Sequence, residues 1–337
     1  MMRLIALLLS LAVCLAGCGQ KQADLEENVN AILKSGGTVT RGGNLPGRPV
    51  VRVDLNNANI TDAVLKELKE LKYLQVLYLR GSTITDAGLK ELRALEGLQV
   101  LNLCGTQITD AGLKDLKELK GLQGLDLQET SITDAGLKEL KELKGLRQLF
   151  LSHTQITDAG LKNLKEITGL KRLELDATKI TDAGLGELKE LKGLQILDLG
   201  LTQITDAGLK DLKELKDLQW LGLACTRITD AGLKDLKQLK GLESLKLQGT
   251  QITDAGLGEL KDSRALTELS LGGDGITDAG LKELKQLKEL KGLRLLDLQN
   301  TRITDAGLEA LKQALPDTKI TLSAPKQSSP DTGTTDP

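Results

Sequence analysis

Aromatic residues and histidine are scarce in this sequence. Its 337 residues include two Tyr, one Phe, one Trp and one His. With His153 alone, the chain has no histidine cluster for zinc and no histidine base to pair with a nucleophile. We therefore predict no catalytic residues, no metal site and no cofactor.

A strong charge of one sign and a phosphate-binding loop are also lacking. The 45 basic and 47 acidic residues leave a formal net charge of −2, which gives no reason to expect nucleic acid as a partner. The glycine-rich run Gly272–Gly275 is not followed by the Gly-Lys-Ser/Thr of a phosphate loop. These absences favour a non-enzymatic protein.

The chain begins with an apolar leader. Arg3 precedes the run Leu4–Leu15, which is too short to span a bilayer as a permanent helix. The sequence Leu15-Ala16-Gly17-Cys18 follows, and it resembles the lipobox of bacterial lipoproteins. The resemblance implies that residues 1–17 are a signal peptide and that Cys18 is lipidated, which would anchor the protein to a membrane. A plain secretory signal cleaved nearby is the alternative.

A repeat fills most of the chain. The triplet Ile-Thr-Asp occurs eleven times, at steps of 24 residues apart from a last step of 27. Its isoleucines are Ile60, Ile84, Ile108, Ile132, Ile156, Ile180, Ile204, Ile228, Ile252, Ile276 and Ile303. A unit of this length cannot bury its apolar face alone, so the period predicts a solenoid of stacked units. Invariant positions are then scaffold, and binding is to be sought at the positions that vary.

One unit shows the pattern in full. From Leu98 it reads Leu-Gln-Val-Leu-Asn-Leu-Cys-Gly-Thr-Gln-Ile-Thr-Asp-Ala-Gly-Leu. The pattern LxxLxLxxTxIT resembles the leucine-rich repeat over about residues 50–322, with Thr106 where that family usually has Asn. Repeat proteins of planctomycete-type bacteria and the repeat half of F-box proteins also carry Thr here. We expect the Thr106 hydroxyl to bond backbone groups at the turn, as that Asn does.

Each unit is predicted to hold a strand followed by a helix. Side chains alternate along a strand, so in this unit we expect Leu101 and Leu103 to point inward, and Val100, Asn102 and Cys104 to point outward.

The second half of the unit is predicted to be helical. Leu113, Leu116 and Leu119 would line its buried side, and Thr109 or Asp110 would cap its start. We interpret each Asp of the Ile-Thr-Asp triplet as the cap of its own helix, in preference to a ladder of metal ligands.

Strands and helices stack at different spacings. Neighbouring strands lie ~4.8 Å apart and neighbouring helices ~10 Å apart, so the stack must bend. The predicted fold is α/β: a leucine-rich-repeat solenoid shaped as a right-handed horseshoe, with a parallel β-sheet on the concave face and α-helices on the convex face. Cys104 and Cys225 lie five units apart, roughly 24 Å at this strand spacing, which is beyond disulfide reach. We expect both thiols to be free and inert.

The two ends of the solenoid need covers. Leu25, Val29, Ile32 and Leu33 predict an amphipathic helix over Ala23–Lys34, and Thr38–Arg41 and Val50–Leu55 predict a hairpin after it. The segment Leu315–Leu322 predicts a last strand, and extra residues within Leu281–Leu293 predict a longer helix. The domains are then 1–17 (signal peptide), 18–49 (N-terminal cap), 50–322 (repeats) and 323–337 (disordered tail).

Two columns of outward strand residues cross the predicted concave face. The central column is Asp54, Tyr78, Asn102, Asp126, Phe150, Glu174, Asp198, Gly222, Lys246, Ser270 and Asp297. The column beside it is Arg52, Val76, Val100, Gly124, Gln148, Arg172, Ile196, Trp220, Ser244, Glu268 and Leu295. Three of the four aromatics fall in these columns, and exposed aromatics are common interface anchors. The predicted ligand-binding residues are Tyr78, Asn102, Asp126, Phe150, His153, Arg172, Glu174, Asp198, Trp220 and Lys246.

The favoured function is a lipid-anchored, monomeric envelope protein that binds a protein partner through its concave face. Gly19, and not Asp, follows Cys18, which slightly favours the outer membrane. Both columns hold more acidic than basic residues, so a basic or polar partner is favoured. A cell-wall glycan receptor that stacks sugars on the aromatics, or a structural spacer of the envelope, are the alternatives. An adaptor like the F-box proteins has little support.

Overall fold

Thirteen strands form one sheet in chain order in the computed structural model, which describes residues 26–43, 47–286 and 292–322. The strands are β1 (Thr38–Arg41), β2 (Val50–Asp54), β3 (Val76–Tyr78), β4 (Val100–Asn102), β5 (Gly124–Asp126), β6 (Gln148–Phe150), β7 (Arg172–Glu174), β8 (Ile196–Asp198), β9 (Trp220–Gly222), β10 (Ser244–Gln248), β11 (Glu268–Gly272), β12 (Leu295–Asp297) and β13 (Lys319–Thr321). β1 is antiparallel to β2, and the strands from β2 to β13 are parallel to their neighbours. The predicted α/β solenoid, with its hairpin and its last strand, is confirmed.

Helical segments return the chain from the end of one strand to the start of the next. The α-helices are α1 (26–34), α2 (Asp62–Leu68), α3 (Asp86–Leu89), α4 (Asp110–Leu116), α5 (Asp134–Leu137), α6 (Asp158–Leu161), α7 (Asp182–Leu185), α8 (Asp206–Leu209), α9 (Leu233–Leu236), α10 (Leu281–Gln286) and α11 (Asp305–Ala314). The 3₁₀ segments are Lys90–Ala94, Lys138–Glu142, Leu164–Glu166, Gly186–Leu188, Lys210–Glu214, Asp254–Asp262 and Asp278–Gly280. No helix among the described residues has the length and apolar character needed to cross a bilayer.

The convex side is less α-helical than predicted. In several repeats a single turn of α-helix passes into a 3₁₀ segment, as in α5 and Lys138–Glu142. The leucine spacing permits the change, because Leu137, Leu140 and Leu143 are spaced by three residues, although α4 stays α-helical over Asp110–Leu116 with the same spacing. A spacing of three keeps side chains on one face of a 3₁₀ helix, which has 3.0 residues per turn, whereas it drifts around an α-helix. The longer helix predicted within Leu281–Leu293 falls partly on residues 287–291, outside the described part of the chain.

The N-terminal cap closes the first repeat with a narrow apolar stripe. α1 buries Val29 and Ile32, which are 3% and 0% exposed. Leu33 was expected on the same face, but it is 47% exposed. It lies about 100° round the helix from Ile32, beyond the stripe that the sheet edge covers. Leu25 and the other residues predicted to begin this helix lie outside the described residues, as do the leader and the predicted tail.

The core is a single cluster of leucine, isoleucine and valine that runs the length of the stack. Leu101 and Leu103 are 0% exposed, as are Leu113, Leu116 and Leu119 behind them. The two predicted outward columns are also confirmed, since the strand register aligns Val76 with Val100 and Tyr78 with Asn102, and so on along the sheet. Leucine pairs from neighbouring strands therefore form the floor of the sheet, and the varied residues form its outer surface.

The repeated threonine closes the turn after each strand. The Thr106 hydroxyl donates a hydrogen bond of 2.6 Å to the carbonyl oxygen of Leu103, three residues back in the same repeat. Thr130 and Thr154 make the same bond to Leu127 and Leu151. The predicted bond from this hydroxyl to the backbone is confirmed, and it lies within one repeat.

The aspartate of each Ile-Thr-Asp triplet does not cap its own helix, as the sequence had suggested. Asp158 Oδ1 accepts a hydrogen bond of 2.8 Å from the backbone N–H of Thr181, and its Oδ2 accepts one of 2.6 Å from the Thr181 hydroxyl. The same pair of bonds joins Asp62 to Thr85 and recurs at every junction up to Asp278 and Thr304. The carboxylate therefore ties each repeat to the next.

Threonine caps the helix, and the neighbouring aspartate holds the threonine in place. Thr181 Oγ1 accepts a hydrogen bond of 3.4 Å from the Ala183 N–H while it donates to Asp158. A carboxylate at this position also suits the positive end of the helix dipole. At each junction the aspartate of one repeat thus accepts from the threonine of the next, and that threonine accepts from a backbone N–H two or three residues further along the chain.

The glycine that follows Thr-Asp-Ala makes room for this carboxylate. A Cβ built on Gly184 would collide with Asp158 Oδ1, and the same collision is found at Gly136 with Asp110 and at Gly208 with Asp182. The first repeat has Val64 at the equivalent position, and no repeat precedes it to supply an aspartate. The glycine is therefore required by the neighbouring repeat and not by the helix that contains it.

We expect Asp158→Ala and Gly184→Ala to be strongly non-additive. Asp158→Ala should cost about 1–3 kcal/mol of unfolding free energy, because it leaves the Thr181 N–H without its acceptor. Gly184→Ala should also cost about 1–3 kcal/mol, since the new methyl group overlaps the carboxylate. In the double variant the methyl group has space, and the coupling energy should reach at least about 1 kcal/mol. Urea unfolding of the four proteins measures it.

Asp305→Ala is the matched control, because no described repeat follows it and its carboxylate has no threonine to hold. Its cost should stay below about 1 kcal/mol, the range of an exposed charge at a helix start. Additive costs for Asp158→Ala and Gly184→Ala would contradict the proposed contact between the two positions.

Candidate functional site

The outward strand positions bring most of the predicted binding residues onto one surface. Nine of the ten lie on β3 to β10, and His153 lies on the turn after β6. The three aromatic side chains in the columns are half-buried. We call the outward positions of β2 to β12 the concave face. It is the surface of the sheet opposite the helical segments.

Phe150 is held between charged and polar side chains. The Arg172 guanidinium carbon lies 5.0 Å from the centre of the Phe150 ring, and Arg172 Nε donates to Glu174 Oε1 at 2.8 Å. Gln128 Nε2 donates to the other Glu174 oxygen at 2.9 Å. The four side chains form one network from the turn after β5 to β7, and it surrounds the half-buried ring.

Tyr78 has a similar arrangement near the N-terminal end of the sheet. The Arg52 guanidinium carbon lies 4.6 Å from the centre of its ring, and Arg52 Nη2 lies 3.4 Å from Asp54 Oδ2. Cation–π contacts of this kind are worth about 0.5–1 kcal/mol at exposed sites. Each of these two aromatics therefore carries an arginine on its ring face.

The Asp and Asn residues of the central column have a structural role that the sequence analysis missed. Asn102 Oδ1 accepts a hydrogen bond of 2.9 Å from the Cys104 N–H, and Asp198 Oδ1 accepts one of 3.0 Å from the Gly200 N–H. Asp126 does the same for Gln128 at 3.1 Å. The short polar side chain closes the turn at the end of each of these strands, as Asx residues commonly do.

Two of these aspartates carry charge in a partly desolvated, acidic setting. Burial raises the pKa of Asp126, and the nearby Glu174 carboxylate raises it further. Burial likewise raises the pKa of Asp198, with contributions from Asp176 and Glu174. The backbone N–H donors at the turns oppose the shifts. Negative charge is therefore crowded on the outer surface of β5 to β8.

Trp220 lies over a glycine and beside an aspartate. A Cβ built on Gly222 would lie 2.8 Å from Trp220 Cη2 and would collide with Asp198 Oδ1. The indole ring thus extends along β9 over Gly222, and the Asp198 carboxylate of the neighbouring strand lies over the same glycine. Gly222 stood in the predicted central column without a role, and its lack of a side chain is what admits the ring.

Lys246, the predicted basic residue beyond Trp220, is engaged with β11. Its ammonium nitrogen lies 3.2 Å from Glu268 Oε2 and 3.3 Å from the Ser270 hydroxyl. In the described part of the chain, no cation lies within ion-pair distance of Asp198. The Arg172 guanidinium on β7 opposes the rise in the pKa of Asp198, but it makes no ion pair with that carboxylate.

His153 belongs to a row of residues with left-handed backbone. The position after each strand turn has positive φ in all eleven repeats, and Gly or Asn occupies six of them. The other five are consecutive: Glu129, His153, Ala177, Leu201 and Cys225, with φ between 53° and 57°. Such a residue costs roughly 1–2 kcal/mol relative to the right-handed conformation. His153 Nε2 lies 3.9 Å from Asp176 Oδ2, at the edge of the concave face.

The two cysteines outside the leader are free, but they differ from the predictions. Cys104 was expected to point outward, and it is 2% exposed. β4 ends at Asn102, so strict alternation no longer applies at position 104. Burial, with Asp126 and Glu129 nearby, raises the pKa of the Cys104 thiol to about 11. Cys225 is free, as predicted, and it is exposed.

The described residues contain no group of three or more His, Cys, Asp or Glu side chains placed to hold a metal ion. Asp158 and its equivalents, the residues that a metal ladder would need, are each bound to a threonine of the next repeat. What the concave face offers is a rigid surface of aromatic, acidic and amide side chains suited to contact with another molecule.

Comparisons with known proteins agree with this architecture. A leucine rich repeat family model matches residues 96–156, and a second one matches residues 70–92, 194–213, 241–261 and 293–312. An internalin (inlF) from Listeria monocytogenes is similar in structure, with 22% sequence identity and a TM-score of 0.60 over 90% of this chain and 96% of that one.

A leucine-rich repeat protein from Leptospira interrogans is similar at 22% identity and a TM-score of 0.51, over 76% of this chain and 80% of that one. At this level of identity, both likenesses concern the fold. No curated protein sequence matches the chain.

Asp198→Asn should stabilise the protein at neutral pH. Because the pKa of Asp198 is raised by folding, the folded state holds more protons than the unfolded state between pH 3.8 and that raised value. Stability from this group is therefore lost as pH rises through the window, and the neutral amide avoids the loss. Asn102 shows that an amide can close the same turn.

Thermal unfolding at several pH values measures the effect. The melting temperature of Asp198→Asn should exceed that of the parent at pH 7, and the difference should disappear as the pH falls toward 3.8. A variant that is less stable than the parent at pH 7 would contradict this account of the carboxylate.

Proposed function

The chain is a leucine-rich repeat protein, and we propose that it is a lipid-anchored, non-enzymatic protein of a bacterial envelope that binds a protein partner through its concave face. One observation supports the binding face above others. The invariant residues of the repeat serve stacking, as Asp158 and Gly184 do, whereas the outward strand positions differ from repeat to repeat. Varied side chains on an invariant, rigid scaffold are what a specific binding surface requires.

The centre of the proposed surface lies on β6 to β9. Phe150, Arg172 and Glu174 are locked in one network there, and Trp220 follows two strands later. Trp, Tyr and Arg are the residue types that most often carry binding energy at protein interfaces. Because these side chains are held in place before binding, little conformational entropy is lost when a partner docks.

At Tyr78 and Phe150, the arginines on the aromatic rings favour a protein partner over a glycan. A sugar that stacks on an aromatic residue needs a free ring face. Arg172 packs on Phe150 and Arg52 packs on Tyr78, so each ring already has one face covered. Exposed guanidinium and carboxylate groups are instead well suited to polar contacts with another protein.

The lipid anchor is proposed from the leader sequence, since residues 1–25 lie outside the described part of the chain. Arg3, the apolar run Leu4–Leu15 and the lipobox-like segment that ends at Cys18 support lipidation of Cys18 and export to the envelope, with the outer membrane slightly favoured.

Photo-crosslinking in cells tests the binding face. A photoreactive amino acid at Phe150 should give a discrete protein adduct, because the position lies at the centre of the proposed surface. The matched control is Lys141, which is exposed on the 3₁₀ segment Lys138–Glu142 of the convex side. An adduct from Lys141 alone would place binding on the convex face, and no adduct from either position would favour a glycan ligand or a spacer.

Lipid labelling tests the anchor separately. Incorporation of a labelled fatty acid should be seen in the parent chain and lost in Cys18→Ala, whereas Cys225→Ser should label as the parent does. Labelling and processing that persist in Cys18→Ala would reject the anchor and leave the plain secretory signal.

A further inference from the structure

Two carboxylates and an aromatic ring come together on the concave face where β8 meets β9. Gly200 and Gly222 are buried beneath them, and the half-buried Ala224 follows β9. A Cβ on Gly200 would lie 3.3 Å from both Asp198 Oδ1 and the Ala224 carbonyl oxygen, and 3.7 Å from Asp176 Cβ. Asp176 and Asp198 therefore lie beside Gly200, and Asp198 and the Trp220 ring lie over Gly222. We call this the Asp198–Trp220 notch.

One oxygen of Asp198 is open to a ligand. Its Oδ1 is taken by the Gly200 N–H, and no described donor reaches Oδ2. No buried side-chain nitrogen or oxygen in the described residues is without a partner, so Oδ2 must reach solvent. The carboxylate is thus held rigidly by one oxygen and presents the other.

Trp220 differs from the other two aromatics of the face. Phe150 and Tyr78 each carry an arginine on their rings, but within the described residues no cationic side chain packs on Trp220. The nearest basic residues along the sheet are already committed, Arg172 to Glu174 and Lys246 to Glu268. The notch therefore has an aromatic ring and two carboxylates. It lacks the arginine that packs on the ring at Tyr78 and at Phe150.

The geometry points to a lysine or arginine side chain of a partner protein as the ligand of the Asp198–Trp220 notch. The cation would bind Asp198 Oδ2 and lie against the indole ring, repeating between two proteins the arrangement that Arg172 makes with Glu174 and Phe150 within this one. The exposed Leu201, on the turn after β8, is an apolar neighbour for the aliphatic stem of that side chain. The inference rests on the proposed function and specifies the partner's chemistry: a basic segment.

Charge complementarity extends beyond the notch. The surface around it carries Asp126, Glu129, Glu174, Asp176 and Asp198, and Arg172 is the one permanent cation at the outward positions of β5 to β8. A basic segment that follows the sheet would meet further carboxylates on the β5 side of the notch. An acidic segment would be repelled by the same groups, which gives the face specificity as well as affinity.

Trp220 is the chain's single tryptophan and reports directly on the notch. The full chain is titrated with hexalysine and hexa-arginine peptides, with hexaglutamate as the comparison, while Trp220 fluorescence is followed. The basic peptides should change the fluorescence in a saturable way that weakens with salt, and hexaglutamate should not. Saturable changes with soluble cell-wall polysaccharide but not with the basic peptides would overturn the inference in favour of a glycan.

Asp198→Asn removes the charge and keeps the turn, so Trp220 is retained as the reporter. The Kd for the basic peptides should rise about tenfold, the value of one hydrogen bond to a charged group. The matched control is Asp297→Asn, which removes the same charge from the same column and the same type of turn on β12. Asp297→Asn should change the Kd less than twofold. If both variants weaken peptide binding equally, the effect is non-specific charge attraction, and the proposed binding at the Asp198–Trp220 notch is wrong.

Combining the two experiments separates this inference from the proposed function. If Phe150 yields a protein adduct that survives unchanged in Asp198→Asn, and the peptides bind both variants equally, the notch is wrong and the concave binding face stands. If the adduct is lost in Asp198→Asn but kept in Asp297→Asn, both are supported. If neither position crosslinks and no peptide binds, both fail.

Discussion

Each repeat is bonded to the next by the carboxylate of the Ile-Thr-Asp triplet, and much of the repeat sequence follows from that bond. Asp158 accepts two hydrogen bonds from Thr181, so position 181 must offer both a hydroxyl and a free N–H. The carboxylate occupies the space in which a Cβ of residue 184 would lie, so that residue must be glycine. The paired bonds therefore act together with the backbone hydrogen bonds of the sheet to hold each unit in one register.

The same junction explains what sequence reasoning could and could not predict. The strand register followed from the 24-residue period and the alternation of Leu101 and Leu103, because buried and outward positions differ in chemistry. The partner of the aspartate could not be inferred from one repeat, since capping within a helix and bonding to the next repeat need the same residue types. The sequence held one indication of the bond between repeats, which is Val64. The first repeat has no preceding repeat to supply an aspartate, and it alone lacks the glycine.

Local spacing accounts for most of the remaining differences. The leucine spacing of three was visible in the sequence and favours 3₁₀ geometry, yet three or four residues per turn look alike over so short a segment. At the site, Tyr78, Phe150 and Trp220 could be placed on the concave face from the strand period alone. That Arg172 covers Phe150 while Trp220 lies bare over Gly222 depends on side-chain directions that the register does not specify.

The negative charge on the concave face lowers the stability of the fold, and this cost indicates why the charge is present. Asp198 closes a turn, a task that Asn102 performs on β4 without charge. Folding places the Asp198 carboxylate near Asp176 and Glu174, and burial makes its ionised form less favourable still. A residue kept only for the turn would gain from being an amide, so the carboxylate is better explained by a ligand that needs its charge. The positions with left-handed backbone from Glu129 to Cys225 support the same argument. Side chains other than Gly or Asn occupy these strained positions only after β5 to β9, the strands of this surface.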